Sequence, residues 1–202
     1  MFVSSIRKKG QNIEVSFEGH ASLICTPSVF AGLYLYKGKE LSNEDMEVLE
    51  RKVLEGTLLS MCLNKLSGRV LSKKQIRDYL RKKKADNEVI STIITKLESM
   101  GLLNDYDYSC KLVETLKKKN KSSESIISTL KLKGISKDDI AKVLNEFKID
   151  DYSQALKVTK KYMNLLKSDE KKIYSRLLMK GFSYATIQKV LKKIKYEMEN
   201  SA

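Results

Sequence analysis

The sequence contains no tryptophan, one proline (Pro27) and one histidine (His20). A single imidazole excludes the multi-histidine metal centres, and His20 has neither a nearby cysteine nor a carboxylate–serine pattern to complete a triad. It reads as a surface turn residue. No proline follows Pro27, which suits an unbroken series of helices through the rest of the chain. The nine glycines are scattered. None forms the Gly-x-Gly-x-x-Gly or Gly-x-x-x-x-Gly-Lys-Ser/Thr strings that cradle phosphates. Cys25, Cys62 and Cys110 are odd in number and far apart, so they read as small buried hydrophobes in a reducing compartment. No apolar run approaches the roughly 18 residues that a membrane helix needs. Met1 to Arg7 lacks the apolar core of a secretory signal. Cytoplasmic localisation is therefore expected. Asp138-Asp139 and Asp150-Asp151 pair carboxylates, but at helix starts, where they complement the helix dipole. No enzyme activity, cofactor or metal is expected.

What is present is charge of one sign in one place. Of 202 residues, 42% are hydrophobic, enough for a core. Residues 1–66 carry eight Lys and Arg against eight Asp and Glu, while residues 67–202 carry 31 against 17, so the whole excess of +14 lies downstream. Such a balance favours a polyanion or an acidic protein surface. An AT-rich genome that writes Lys at solvated positions would give a similar bias, because only six of the cations are Arg.

The same downstream region repeats itself. Ser72, Ile76, Leu80, Asp86, Ile90 and Ile94 match Ser122, Ile126, Leu130, Ser136, Ile140 and Leu144. A third copy runs from Ser168 to Leu191 through Ile173, Leu177, Ser183 and Ile187. Self-similarity at a period of about 45 residues indicates helical modules that bury their apolar faces against one another. The expected fold is mainly α: tandem three-helix repeats, helix-turn-helix-like, in an elongated array, with a small N-terminal β-hairpin. Expected boundaries are 1–41 for the hairpin and a short helix, then repeats at 42–103, 104–149 and 150–202.

Local signals give the elements. Ile13, Val15 and Phe17 alternate with polar residues before the turn Glu18-Gly19-His20 and the segment Ala21 to Cys25, which predicts a hairpin. Thr26-Pro27 starts a short helix running to about Tyr34 and stopping at Gly38. Ser42 to Asp45 resembles a capping box opening a long helix. Lead helices are predicted over 43–65, 106–119 and 152–167, middle helices over 73–84, 123–133 and 169–180, and closing helices over 87–99, 137–147 and 184–198. Gly134 and Gly181 end the middle helices in left-handed residues. Lys84 stands at that position in the first copy and should strain the turn or change its geometry. Asp107-Tyr108-Ser109 and Asp151-Tyr152-Ser153 recur at lead-helix starts.

Candidate binding residues are basic. Lys73, Arg77, Arg81 and Lys84 share one helix face, where like charges repel unless a partner neutralises them. Lys117, Lys118, Lys119 and Lys121 end the second lead helix, where cations also complement the dipole. Lys83, Lys133 and Lys180 occupy one repeat position, and Lys160, Lys161, Lys171, Lys172 and Arg176 continue the theme. The aromatics mostly fall at apolar positions, so base stacking is not the expected main mode.

The segment Leu66-Ser-Gly-Arg-Val-Leu-Ser72-Lys-Lys-Gln-Ile76-Arg77-Asp-Tyr-Leu80, with Leu97-Glu-Ser-Met-Gly101-Leu-Leu-Asn-Asp105-Tyr-Asp-Tyr108-Ser, resembles the RecX recombination regulators. Ile126 to Ile135 and Arg176 to Phe182 extend the resemblance, which covers about residues 40–195. Asn104, Ser109 and Lys84 depart from the family pattern. The resemblance implies a modulator of the RecA recombinase, lying in the groove of its filament on single-stranded DNA and inhibiting its ATPase, strand-exchange and coprotease activities. Filament or nucleic-acid contacts are then expected at Lys73, Arg77, Arg81, Lys83, Lys117, Lys118, Lys133, Arg176 and Lys180. The expected partners are the RecA nucleoprotein filament and single- or double-stranded DNA without sequence preference, with no membrane and a monomeric chain. An autonomous helix-turn-helix transcription regulator remains the alternative, although Asn87, Asn145 and Gln188 sit at unequal positions for a shared base-reading code.

Overall fold

The computed structural model describes residues 1–162 and 169–200. The chain opens with β1 (Val3–Lys9), β2 (Asn12–Phe17) and β3 (His20–Cys25), an antiparallel sheet in that order. The predicted hairpin is β2–β3; the sequence reading missed β1, which pairs Ile6 with Val15. A bulge between Val3 and Ser5 breaks its alternation, and Arg7, Lys8 and Lys9 disguise the rest. The extra strand answers a physical need, since a lone hairpin is marginal in water. Val3, Val15, Phe17 and Cys25 bury one face against Leu41, Met46, Leu49 and Val53.

Helix α1 (Pro27–Ala31) starts as expected, with Thr26 accepting from the Val29 N–H, but it ends at Gly32 rather than near Tyr34. Tyr34 adopts φ 49°, outside the right-handed helix. The chain then returns along β1 through Val3 N–H to Lys39 O (3.0 Å) and Gly38 N–H to Val3 O (2.8 Å). Those bonds outweigh one more helical turn. Helix α2 (Asn43–Ser67) carries the predicted capping box between Ser42 and Asp45.

The remaining helices are α3 (Lys73–Lys82), α4 (Asn87–Ser99), α5 (Asp105–Lys118), α6 (Ser123–Leu132), α7 (Lys137–Phe147), α8 (Asp151–Lys161), α9 (Glu170–Met179) and α10 (Tyr184–Glu199). Asp86, Ser136 and Ser183 cap α4, α7 and α10, each accepting from the N–H three residues on. Ser168 and the last part of the predicted third lead helix lie outside the described residues.

The chain forms two units, Met1–Val70 with Ile76–Leu103, and Leu71–Gln75 with Asn104 onward. In the first, Ile76, Leu80, Ile90 and Ile94 are buried as the repeat pattern requires. Leu103 is buried as well, whereas Leu102 is 45% exposed and covers little. The second unit holds two separate cores. Val113, Ile126, Leu130, Ile140 and Val143 form one, and Ala155, Val158, Ile173, Leu177, Ile187 and Leu191 belong to the other. Each buried aliphatic contributes on the order of 1.5–3 kcal/mol.

One joint recurs inside the second unit. The Ser122 hydroxyl, fully buried, donates to Gly181 O (2.7 Å), and its N–H donates to Lys180 O (3.0 Å). Ser72, equally buried, donates from its hydroxyl to Lys133 O (2.8 Å). The first N–H of the following helix is taken by a carboxylate in both cases: Lys73 N–H by Asp105 (2.8 Å) and Ser123 N–H by Asp151 (2.7 Å). Asp105 and Asp151 are therefore the equivalent residues. The recurring Asp-Tyr-Ser triplets at 107–109 and 151–153 are two positions out of structural register, because the caps are Asn104 and Asp150.

This joint explains the glycines. Gly134 and Gly181 adopt φ 80° and 88°, and a Cβ on them would lie 2.6 Å from Lys74 Cβ and 2.7 Å from Ser125 Cβ. Lys84 takes the same left-handed conformation, φ 60°, and is exposed. The sequence expectation of strain is met in the backbone. The position tolerates a side chain because Lys84 lies open to solvent, where Gly134 and Gly181 are packed against.

Candidate functional site

The basic residues sort by their surroundings. In the first unit, Arg77 is half-buried beside the core positions of α3, and Arg81 and Lys83 are exposed. Tyr79 carries two ammonium groups, Lys65 at 4.5 Å and Lys83 at 5.9 Å from the ring centroid. Arg51 differs: it is held by Glu88 (2.6 Å) and Glu55 (3.3 Å), so its charge is spent internally. Arg77, Arg81 and Lys83 have no such ion pair among the described residues.

In the second unit Lys73 is half-buried and its N–H is fixed by Asp105. Lys133 is half-buried too, with its carbonyl engaged by Ser72, and it lines neither of the two basic grooves described below. Lys117 donates to Phe147 O (2.9 Å), finishing α7, and so behaves as a helix-end cap. With Lys118 and Lys157 it lines a groove that also contains Glu114.

The other groove, about 680 Å³, gathers Lys118, Lys119, Lys121, Lys161, Arg176 and Lys180. Its walls come from the ends of α5, α8 and α9. Two lysines are exchanged between facing helix ends: Lys121 donates to Met179 O (3.0 Å) and Lys180 to Lys119 O (2.5 Å). The guanidinium of Arg176 lies 4.2 Å from the centre of the Tyr162 ring, and Lys161 lies 6.0 Å from it. Burial pushes the Lys180 ammonium below its ordinary pKa, and the neighbouring charges of Lys121 and Lys161 push the same way, against an opposing effect of Tyr162. Among the described residues no carboxylate lines this groove.

Lys118, Arg176 and Lys180 are thus brought together, and Lys117 lies in the adjoining groove. Sequence reading placed Lys121 and Lys161 in basic runs without singling them out, and took the aromatics, Tyr162 among them, as mostly apolar-position residues. The basic residues in the last turns of α2, α5 and α8 were the available signal; the convergence of α5, α8 and α9 was not.

His20 opens β3 and packs edge-on against Phe17, 3.6 Å from Glu50. Among the described residues no cluster of His, Cys, Asp and Glu has the makings of a metal site, and no helix is long and apolar enough to cross a membrane.

The family model of the first three-helix domain of RecX matches residues 59–97, the end of α2 with α3 and α4. A regulatory protein RecX from Listeria monocytogenes serovar 1/2a is 30% identical over 190 residues, covering 90% of this chain and 70% of that protein. The chain belongs to the RecX family. A Bacillus subtilis regulatory protein RecX is 29% identical over 208 residues, covering 96% of this chain and 76% of its own. The crystal structure of a regulatory protein RecX shares the fold, with a TM-score of 0.70 at 23% identity over 94% of this chain and 98% of that one. RecX from Lactobacillus salivarius gives 0.60 at 27% identity, over 70% of this chain and 97% of the other. The mainly helical RecX architecture with a small N-terminal sheet is therefore established for this chain, and its relatives are named as regulators.

Proposed function

We propose that this RecX-family chain is a non-enzymatic, monomeric cytoplasmic regulator that binds RecA and its filament on single-stranded DNA, and inhibits the ATPase, recombinase and coprotease activities of that filament. The contacts assigned are Lys73, Arg77, Arg81, Lys83, Lys117, Lys118, Lys133, Arg176 and Lys180. Binding to DNA is through phosphates and carries no sequence preference.

The observation that supports this reading most is the unneutralised charge on helices of a family named for regulation. Arg77, Arg81 and Lys83 stand without carboxylate partners among the described residues, although Arg51 in the same unit has two. Cations left unpaired at helical spacing repel by a few tenths of a kcal/mol per pair. A polyanionic partner relieves that repulsion.

Titrating RecA-dependent ATP hydrolysis with the wild type and with a combined Arg77→Glu, Arg81→Glu, Lys83→Glu variant tests the assignment. Inhibition is expected from the wild type and at least tenfold weaker inhibition from the variant. Full inhibition by a variant that melts like the wild type would defeat the site.

A further inference from the structure

The groove at the ends of α5, α8 and α9 holds more positive charge than its structural duties require. Lys121 and Lys180 each satisfy one helix-end carbonyl, yet an ammonium has three donors. Lys118 and Lys161 satisfy no carbonyl or carboxylate among the described residues. Arg176 is held against Tyr162, which fixes a planar, forked donor in the groove wall. Among the described residues no acid lines the groove, whereas the adjoining one contains Glu114. Carbonyl capping accounts for two of the six cations, and Lys118 and Lys161 stand in the last turns of α5 and α8, where the helix dipole favours them, yet neither role supplies an anion to neutralise the cluster.

We infer that Lys118, Lys121, Lys161, Arg176 and Lys180 form a phosphate-gripping groove for the backbone of single-stranded DNA, one that binds the strand directly and without the recombinase. The inference rests on the reading that the chain acts on nucleoprotein filaments, and it assigns one task within that reading to one place. A volume of about 680 Å³ exceeds the need of a single phosphate and suits successive ones along a strand. Burial first, and then the charges of Lys121 and Lys161, lower the proton affinity of Lys180; the charge repulsion is what a closely placed anion would relieve. Tyr162 already carries Arg176 on its ring, so the grip is on the backbone and is indifferent to the base.

The test uses the full chain alone with a fluorescently labelled oligothymidylate, following anisotropy across a salt series. Lys118→Gln with Lys161→Gln removes two cations that make no internal hydrogen bond among the described residues. Lys189→Gln with Lys192→Gln removes the same charge from exposed positions on α10. Each phosphate grip removed should flatten the log–log salt slope by about 0.7, so about 1.4 for the groove pair, with no change for the α10 pair. Equal flattening by both pairs, or by neither, overturns the groove. Competition by polyglutamate as effective as that by unlabelled oligothymidylate also overturns it, in favour of an acidic protein surface. RecA-dependent ATP hydrolysis is measured in parallel with all three proteins. Normal oligonucleotide behaviour without any inhibition of RecA removes the filament reading and with it the biological setting of the groove. Inhibition with unaltered salt slopes removes the groove alone.

Discussion

At the scale of single residues, the turn between middle and closing helices separates two demands usually met together by glycine. Lys84 meets only the left-handed backbone, at φ 60°, whereas Gly134 must also admit Lys74 within 2.6 Å of where a Cβ would stand. Replacing Lys84 by Gly should therefore raise stability by about 1 kcal/mol by relieving the backbone. Gly134→Ala should lower it by about 2 kcal/mol or more, because strain and collision add. Denaturant unfolding measures both, and equal effects would contradict the account. Strain at Lys84 was legible in the sequence, since a lysine replaces a repeated glycine. The collision was not, because its partner lies about 60 residues away in the chain.

Asp150 offers a titration at the same scale. The Ser153 hydroxyl, followed by the Ser153 and Tyr152 N–H groups, holds its carboxyl below the usual carboxylate range. A lowered folded-state value means stability that is complete above the unfolded-state value and lost as pH falls through the folded one. Asp150→Asn keeps an amide oxygen for the cap, as Asn104 does on α5, but removes the proton uptake. Thermal melts should show the variant less stable than wild type near neutrality, with the gap closing on acidification below about pH 4.

At the scale of elements, the joint from one helix start to the next turn does the positioning. The buried Ser122 hydroxyl accepts from Ser125 N–H (3.1 Å) and donates to Gly181 O (2.7 Å), so Ser122→Ala leaves a buried carbonyl and a helix end unsatisfied. A loss of about 1–3 kcal/mol is expected. Ser136→Ala, an exposed cap on α7, should lose only about 1 kcal/mol. Similar losses in urea titrations would mean the joint is unimportant. Helix existence was legible nearly throughout, because repeated aliphatics at 76, 126 and 173 mark buried faces. Helix pairing was less so: Asp-Tyr-Ser triplets suggested one register, while Asp105 and Asp151, chosen by which N–H they bind, define another. Strand β1 escaped for a comparable reason, its pattern being broken by a bulge and its end loaded with cations.

For the whole molecule, the segregation of charge was the most readable feature and the least informative about place. All of the +14 excess lies after residue 66, yet what each cation does depends on its surroundings. Arg51 is neutralised by acids and Lys117 by a helix end, while Lys118 and Arg176 face a groove with no acid among the described residues. Sequence periodicity assigned Lys83, Lys133 and Lys180 to one row. Lys180 joins the cationic groove because its facing helix end belongs to α5, whereas Lys83 shares the Tyr79 ring with Lys65. At this scale the expected signature is a steep loss of oligonucleotide affinity with added salt.

The turn at Lys84 also fixes the order of the modules. A duplicate of residues 73–103 spliced into the last position would set a lysine Cβ against Ser122 and Ser125, where the native chain has only a hydrogen. The reverse transplant, a glycine-bearing turn moved to the front, meets no such obstacle. Shuffling the copies is therefore permitted in one direction and forbidden in the other, so the three copies, though built on one pattern, are no longer interchangeable parts.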